Sequence, residues 1–425
     1  MWLVVVLVLA WVLGNLDRNI MALLVPSLKA SFGITDVQVS LLQGLAFSLF
    51  FLLAGYPIGR LADRLNRRNI IAFGVAGWSL MTVLSGFASS YGWLFATRTL
   101  VGVGEACLLP ASVSIVADCF PQRLHGRVMG LLLAGGSLGI AASTGLGGIL
   151  LDGFEQARPA PLQSFAPWQL TYIAVGLPGF IVAALVLTAR EPTRRGAAAP
   201  ASVQPDNIGR VLAGRRAIVA CLLGAFGLNL LAAYGSGAWL ATMMMREYDM
   251  RASHVGISLG LMHLLIGGLG PVLGGWISDS MARTRRDRGR LHFVMLAFAA
   301  QILVGLTLAS LTAFAPTLFA YAACILLTTF LATSALAVLP ESVPTTARGR
   351  TMAMYQVVAS VIGSGLGPLC IALITDHVFG DEKMVRQAIA VVLVATSLIG
   401  LALARVAAVR QSAVYAQGCN DLSQD

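Results

Sequence analysis

"GRLADRLNRR" occupies residues 59–68, and its setting decides the fold. Four arginines and one aspartate fall within ten residues, between apolar runs at 38–60 and 69–89. A helix needs about 20 apolar residues to cross a hydrocarbon core roughly 30 Å thick. A short basic turn between two such runs predicts a hairpin of spanning helices. Runs of the same kind recur along the chain. The pattern predicts twelve spans, at 2–27, 38–60, 69–89, 92–117, 126–150, 168–189, 216–240, 254–277, 291–312, 314–338, 350–375 and 386–409. The 425 residues are 57% hydrophobic and 11% charged, too few charges to cover a water-facing surface of that size. Long unbroken apolar runs also disagree with the short alternating strands of a membrane barrel. The expected class is an all-α polytopic membrane protein.

The first span lacks a basic leader and a small-residue cleavage site, so it reads as a helix that stays, not as a signal peptide. A few residues upstream of Met1 could belong to the natural chain. The net charge of +10 raises nucleic acid as a partner, but the placement of the charges argues against it. With both termini in the cytoplasm, 21 of the 29 Lys/Arg fall on the inner side and 6 on the outer side. This is the bias that orients membrane proteins. It also predicts contact with anionic inner-leaflet lipid. The two remaining arginines, Arg18 and Arg98, lie inside spans.

The longest polar connection, "REPTRRGAAAPASVQPDNIGRVLAGRR" (190–216), is rich in Ala, Pro and Arg and reads as a linker. The expected domains are a six-helix bundle over 1–189, a cytoplasmic linker over 190–215, a second bundle over 216–409 and a tail over 410–425. The halves echo one another. "GRLADRLNRR" has its counterpart in "GGWISDSMARTRR" (274–286), and "FPQRLHGRVMG" (120–130) in "VPTTARGRTMA" (343–353). Asp63 matches Asp279 at an offset of 216, and Arg127 matches Arg350 at 223. A duplicated unit predicts two bundles with a central site at their interface.

These motifs resemble the major facilitator superfamily. Gly59, Asp63, Arg64, Arg67 and Arg68 match its signature between the second and third helices. Arg98, Gly102 and Gly104 in "RTLVGVGEA" (98–106) resemble its fourth-helix pattern, and "GGSLGIAASTGLGGIL" (135–150) its glycine-rich fifth helix. Within it, "NLDRNI" (15–20) with "GVGEACLLPASVSIVAD" (102–118) looks like the spinster-like group. The resemblance implies proton-coupled movement of lysolipids or sphingolipid phosphates. It implies that Asp17 and Arg18 form a first-helix charged pair, that Glu105 is a proton-responsive acid and that Arg98 is its basic neighbour. The second-half signature departs from the pattern: Asp279 remains but the residues after it are loose.

Read as residues, the same four stand out. A charge at the middle of a lone span costs about 2.5–3.5 kcal/mol on insertion scales. Asp17 and Arg18 therefore need a polar cavity or partners. Arg98 and Glu105 are seven residues apart, on roughly one face of the fourth span. Two readings stay open. The four can form a static salt network, or a proton site with substrate nearby. Burial disfavours a carboxylate's charged form and a nearby arginine favours it, so a cavity that opens and closes changes the balance. Glu105 is the favoured proton carrier and Asp17 the second. Arg18 and Arg98 can alternatively receive a carboxylate or phosphate on the cargo.

Asn229, Tyr234, His263 and Tyr355 are further candidates to line the substrate path, although local helix–helix hydrogen bonding accounts for each equally well. The gating candidates are Asp63, Arg64, Arg67, Arg68 and Arg127, with Asp118 as a partner acid. Asp279, Glu341 and Arg350 are their second-half counterparts. They would grip one another only while the inner side is closed; the alternative is a role in topology alone. Six cysteines at 107, 119, 221, 324, 370 and 419 form no CxxC pair and read as small apolar fillers. No metal, cofactor or nucleotide site is expected, and no enzyme. The expected function is proton-coupled secondary transport by alternating access, with an amphiphilic anionic lipid as cargo. The alternative is a proton-coupled symporter or exporter of a small organic anion or drug. A monomer in a bacterial inner membrane is expected.

Overall fold

Apolar runs bounded by capping residues become helices throughout the chain. In order they are α1 Trp2–Phe32, α2 Asp36–Ala62, α3 Arg67–Ser85, α4 Tyr91–Cys119, α5 Arg123–Gln156 and α6 Pro167–Thr188. Then come α7 Arg216–Tyr248, α8 Ala252–Thr284, α9 Gly289–Ser310, α10 Phe314–Glu341, α11 Thr345–Phe379 and α12 Glu382–Ser412. The computed structural model describes residues 2–158, 160–193, 214–285 and 289–421, with backbone alone at Asp63, Gln122, Arg285 and 413–421. Most of the expected linker, residues 422–425 of the expected tail and the side chains of Asp63 and Cys419 lie outside the described residues, and the tail's first twelve residues continue the last helix. The other five cysteines are free thiols. Among the described residues eleven helices are long and apolar enough to cross a membrane, which makes the chain a multi-pass membrane protein. The helix not among the eleven is α3, whose 19 residues begin with Arg67, Arg68 and Asn69.

The helix starts are chemically specified. Thr35 caps α2 in a reciprocal box: its hydroxyl accepts from the Gln38 amide, and the Gln38 side chain accepts from the Thr35 amide. Asn66 accepts from the Asn69 amide to start α3, and Ser90 from the Trp93 amide to start α4. Gly33, at φ 62°, turns the chain out of α1 in the left-handed conformation that glycine adopts freely.

Two helices break where they carry charge. The helix of α1 is interrupted at Ile20, two residues past Arg18, and that of α4 at Ala106–Cys107, directly after Glu105. Pro110 accounts for the second break, because its ring has no N–H to give and crowds the carbonyl four residues back, at Ala106. Pro26 likewise leaves the Ala22 carbonyl without its helical donor, and the Thr242 hydroxyl donates to that oxygen at 2.9 Å. Helices α2 and α11 carry wider π-helical turns, over Leu41–Leu45, Ala359–Leu366 and Ile374–Phe379.

The fold divides into two compact units. Unit 1 comprises Met1–Ala197, Gly237–Leu265 and Ala372–Lys383. Its core packs Leu7, Leu13, Phe47, Val75, Trp78, Val101 and Ile115. Unit 2 comprises Ala198–Ser236, Ile266–Ile371 and Met384–Asp425, with Leu222, Phe226, Val294, Phe298, Leu331 and Tyr355 in its core.

Within unit 1, α5 approaches α8 closely enough that side chains are excluded. A methyl group at Gly148 would collide with the Ala252 carbonyl, and one at Gly256 with the Thr144 carbonyl. Gly148→Val is therefore expected to lower the melting temperature of the detergent-solubilised protein by several degrees, as for an overpacking cost of about 1–3 kcal/mol. Gly153→Val, with open space around the added carbon, is the control. Equal melting of the two variants would show that the close approach carries no stability.

Candidate intramembrane charge site

Unit 1 assembles its site from α1, α2, α3, α4 and α6. The Arg18 guanidinium donates through Nη2 to Glu105 Oε2 at 2.6 Å. Glu105 is 4% exposed and Arg18 is 29% exposed, so the acid is enclosed while the base reaches accessible space. Gly14, one turn before Arg18, makes room: a carbon added there would sit 3.7 Å from the Glu105 carboxyl carbon. The Arg18 guanidinium also lies over the ring of Phe47, 4.0 Å from its centroid, and 5.5 Å from that of Phe51. An aromatic face attracts a cation, so Arg18 is held by one carboxylate and two rings.

Asp17 points elsewhere. It is buried and its Oδ2 accepts from the Thr82 hydroxyl at 3.3 Å. Arg98, also buried, donates through Nη2 to the Asp17 backbone carbonyl at 3.1 Å, and its guanidinium sits 5.8 Å from the Tyr172 ring centroid. Neighbours on a helix project about 100° apart, so adjacent Asp17 and Arg18 serve different partners. Several buried polar atoms here have no hydrogen-bond partner among the described residues: Asp17 Oδ1, Arg98 Nε and Nη1, Glu105 Oε1 and the Tyr172 hydroxyl. Buried polar atoms are normally paired, and unpaired ones concentrate where function needs them. This group can exchange a proton or accept a polar ligand atom.

The other sequence candidates sit as follows. His263, in unit 1, shares Nδ1 with the Leu259 carbonyl of its own helix at 2.9 Å. In unit 2, buried Asn229 donates to the Thr328 carbonyl and accepts from Gln301, which in turn accepts from Ser397. Tyr355 is buried and Tyr234 is exposed in the same unit. Among the gating candidates, buried Arg67 grips Asp118 and also Glu191, the latter at 2.9 Å. Arg68 donates to the Ala189 carbonyl, and its backbone amide to Glu191. Arg64 and Arg127 are exposed, and Arg350 is half-buried. In unit 2, Arg290 bridges Asp279 at 2.8 Å and Glu341 at 2.7 Å.

A further cluster in unit 1 escaped the sequence reading. Asp36, fully buried at the start of α2, accepts two hydrogen bonds from Arg246, at 2.7 and 2.8 Å, and one from Lys29 at 2.6 Å. Glu382 approaches both cations, at 2.6 Å from Lys29 and 3.4 Å from Arg246. The Val37 amide adds a bond to Asp376. The available signals were the Thr35–Gln38 capping box, which marks a helix start, and the scarcity of charge on this side of the chain. Glu191 and Arg290 were also missed; nothing local marks them as partners. Among the described residues no group of three or more His, Cys, Asp or Glu is arranged to hold a metal.

Residues 6–368 match the family described as Major Facilitator Superfamily. The chain belongs to that superfamily. Its members are transporters and not enzymes, which accords with a site built from opposed charges inside spans. The chain is 26% identical over 403 residues to an MFS-type efflux pump of Mycolicibacterium smegmatis, covering 93% of this chain and 89% of that protein. It is 29% identical over 399 residues to protein spinster homolog 1 of Xenopus laevis, covering 88% and 73%. The crystal structure of a bacterial homolog of the human lysosomal transporter Spinster, in an inward-facing and unoccupied conformation, superposes with a TM-score of 0.79 at 22% identity, over 96% of this chain and 95% of that one. That likeness establishes a shared superfamily fold.

Proposed function

We propose that the chain is a proton-coupled secondary active transporter that works by alternating access and moves an amphiphilic anionic lipid such as a lysophospholipid or sphingolipid phosphate. The observation that carries this reading is the Arg18–Glu105 ion pair inside two spans, with the acid enclosed and the base reaching accessible space. A proton on Glu105 removes the counter-charge of Arg18. The freed guanidinium then suits a phosphate or carboxylate on the cargo. The Glu105 carboxylate and the anionic headgroup thus compete for one arginine, so protonation of the acid and binding of the headgroup favour one another, and that linkage couples their movements. The motif resemblance to the spinster-like group supports the lipid class, and the relative described as an efflux pump supports export as the direction in the second reading, a small organic anion or drug.

In this reading α3 is the remaining span, giving twelve in two six-helix bundles over 1–189 and 216–409, joined by a cytoplasmic linker over 190–215 and followed by a tail over 410–425. These halves follow chain duplication, whereas the contact units follow packing. Both termini face the cytoplasm of a bacterial inner membrane, and the chain acts as a monomer. Asp17 is a second proton group. Arg98, Asn229, Tyr234, His263 and Tyr355 line the cargo path. Asp63, Arg64, Arg67, Arg68, Asp118 and Arg127, with Asp279, Glu341 and Arg350, close the inner side. The cluster around Asp36 closes the outer side.

The test is flux into liposomes containing the purified protein, under an imposed pH gradient, with a panel of lysolipids and organic anions. Uptake of lysolipids that collapses with the gradient is the expected result. Flux indifferent to the gradient overturns the coupling, and uptake confined to small anions selects the second reading.

A further inference from the structure

A cavity of about 420 Å³ opens in unit 1 beside the Asp36 cluster, between α1, α5, α7 and the start of α8. Its volume lies within the range of small-molecule sites, roughly 300–1,000 Å³. One wall carries Asp152 and Glu155, three residues apart on α5 and so on one helix face. Leu23, Pro26 and Met245 supply apolar surface opposite. Arg246 also lines the cavity, but its guanidinium is already committed to Asp36 and Glu382.

The enclosed charge that no guanidinium among the described residues answers is that of Asp152, while Arg251 stands exposed at the rim. Asp152 is 7% exposed, and one of its oxygens accepts from the Ser253 amide at 3.0 Å. That bond caps the start of α8, a sufficient structural role for one oxygen. The other oxygen meets no donor among the described residues. Glu155 is exposed and has no ion pair among the described residues; Arg158, just beyond α5, acts on it electrostatically while its guanidinium donates to the Phe165 carbonyl. An enclosed carboxylate beside a second one is costly unless a cation answers it. A divalent metal would need more ligands than the pair provides, and among the described residues no third His, Cys, Asp or Glu joins them. An ammonium group needs only hydrogen-bond acceptors and negative charge, and its alkyl chain matches the apolar wall. Arg251, exposed at the rim, can meet an anionic group on the same molecule.

We propose that this cavity, separate from the Arg18–Glu105 site, binds the ammonium head of an amphiphile between Asp152 and Glu155. The occupant can be a bilayer lipid or a soluble single-chain molecule, since the recognised chemistry is the same. Because Arg246 belongs both to the cavity wall and to the Asp36 cluster, an occupant lies directly against that cluster.

The test measures binding and needs no transport, so its outcome is independent of the proposed flux. The full chain is placed in nanodiscs of phosphatidylglycerol, which carries no ammonium. Dodecylammonium is titrated, with dodecyl phosphate as the anionic counterpart. Saturable binding of the ammonium probe is expected, with Kd rising at least tenfold in Asp152→Asn/Glu155→Gln and no matching change for dodecyl phosphate. Ser27→Phe, which fills the cavity from α1 and leaves both carboxylates in place, is expected to weaken the ammonium probe similarly. Wild-type affinity in both variants overturns the proposal, as does equal loss for the two probes. Adding phosphatidylethanolamine to the nanodiscs separates the sources. Competition supports a bilayer lipid as occupant, and unchanged probe affinity supports a soluble amphiphile.

Discussion

Glu105→Gln is expected to cut gradient-driven uptake by about tenfold or more and to flatten its dependence on pH. The substitution keeps shape and hydrogen-bonding capacity but removes the only titrating atoms in contact with Arg18 among the described residues, 2.6 Å away in the native protein. Breaking an enclosed ion pair by removing one partner costs about 3–5 kcal/mol, because the other charge is left behind. Here the cost is smaller, since Arg18 is 29% exposed and keeps its contact with the Phe47 ring. The consequence for transport does not shrink in the same way. Without a proton to bind, Arg18 is permanently free of Glu105's charge, and cargo binding no longer answers to pH. Cargo binding at alkaline pH should therefore match the native protein at acid pH. The comparison is a pH profile of uptake and of equilibrium binding in the two proteins. Parallel profiles would end Glu105's assignment and move the proton to Asp17, which has its own hydroxyl donor in Thr82.

Asp36→Asn is expected to shift the conformational balance more than any other single change at the opposite group of charges. Asp36 is fully buried and receives three charge-assisted hydrogen bonds from Arg246 and Lys29. An asparagine keeps one acceptor and loses the negative charge. Glu382 remains near both cations, but it is 56% exposed and answers them through a more screened contact. A loss of about 3 kcal/mol, the low end for a broken buried pair, corresponds to on the order of a hundredfold in the population of the arrangement seen here. The measurement is the labelling rate of single cysteines placed at 27 and 250, near this cluster. Faster labelling at both positions in Asp36→Asn is expected, with Glu382→Gln producing a lesser increase. If Asp36→Asn labels at the native rate, the cluster fastens nothing. The contrast between the two substitutions separates a lock from general loosening, which would not rank them by burial.

Sequence and structure divide the site in an instructive way. Asp17, Arg18, Arg98 and Glu105 are legible because a charge inside an apolar run is rare and costly. Their depth follows from counting residues along each span. Their pairing does not. Arg18 reaches Glu105 and Arg98 reaches the Asp17 carbonyl because α1 and α4 have particular rotations and both break beside these residues. A proline at 110 hints at one break, while the exact facing of two helices is invisible to hydropathy. Asp36 was passed over for the opposite reason. At the end of a span an acid looks ordinary, and its cations come from positions 29 and 246, far apart along the chain.

What the sequence determined by itself was local and periodic. Apolar runs long enough to cross hydrocarbon, echoed basic motifs and a surplus of Lys/Arg on one set of turns are properties of short windows, and they suffice for an all-helical membrane protein of repeated halves. Only the tertiary structure decided which charges meet, that the Asp36 cluster exists, and that a cavity lies beside it between α1, α5, α7 and α8. Those outcomes depend on helix phase and on contacts between distant residues, such as the approach of α5 to α8 at Gly148 and Gly256. Ion pairing falls away within a few ångströms, so a rotation too small to alter any hydropathy pattern is enough to make or break it.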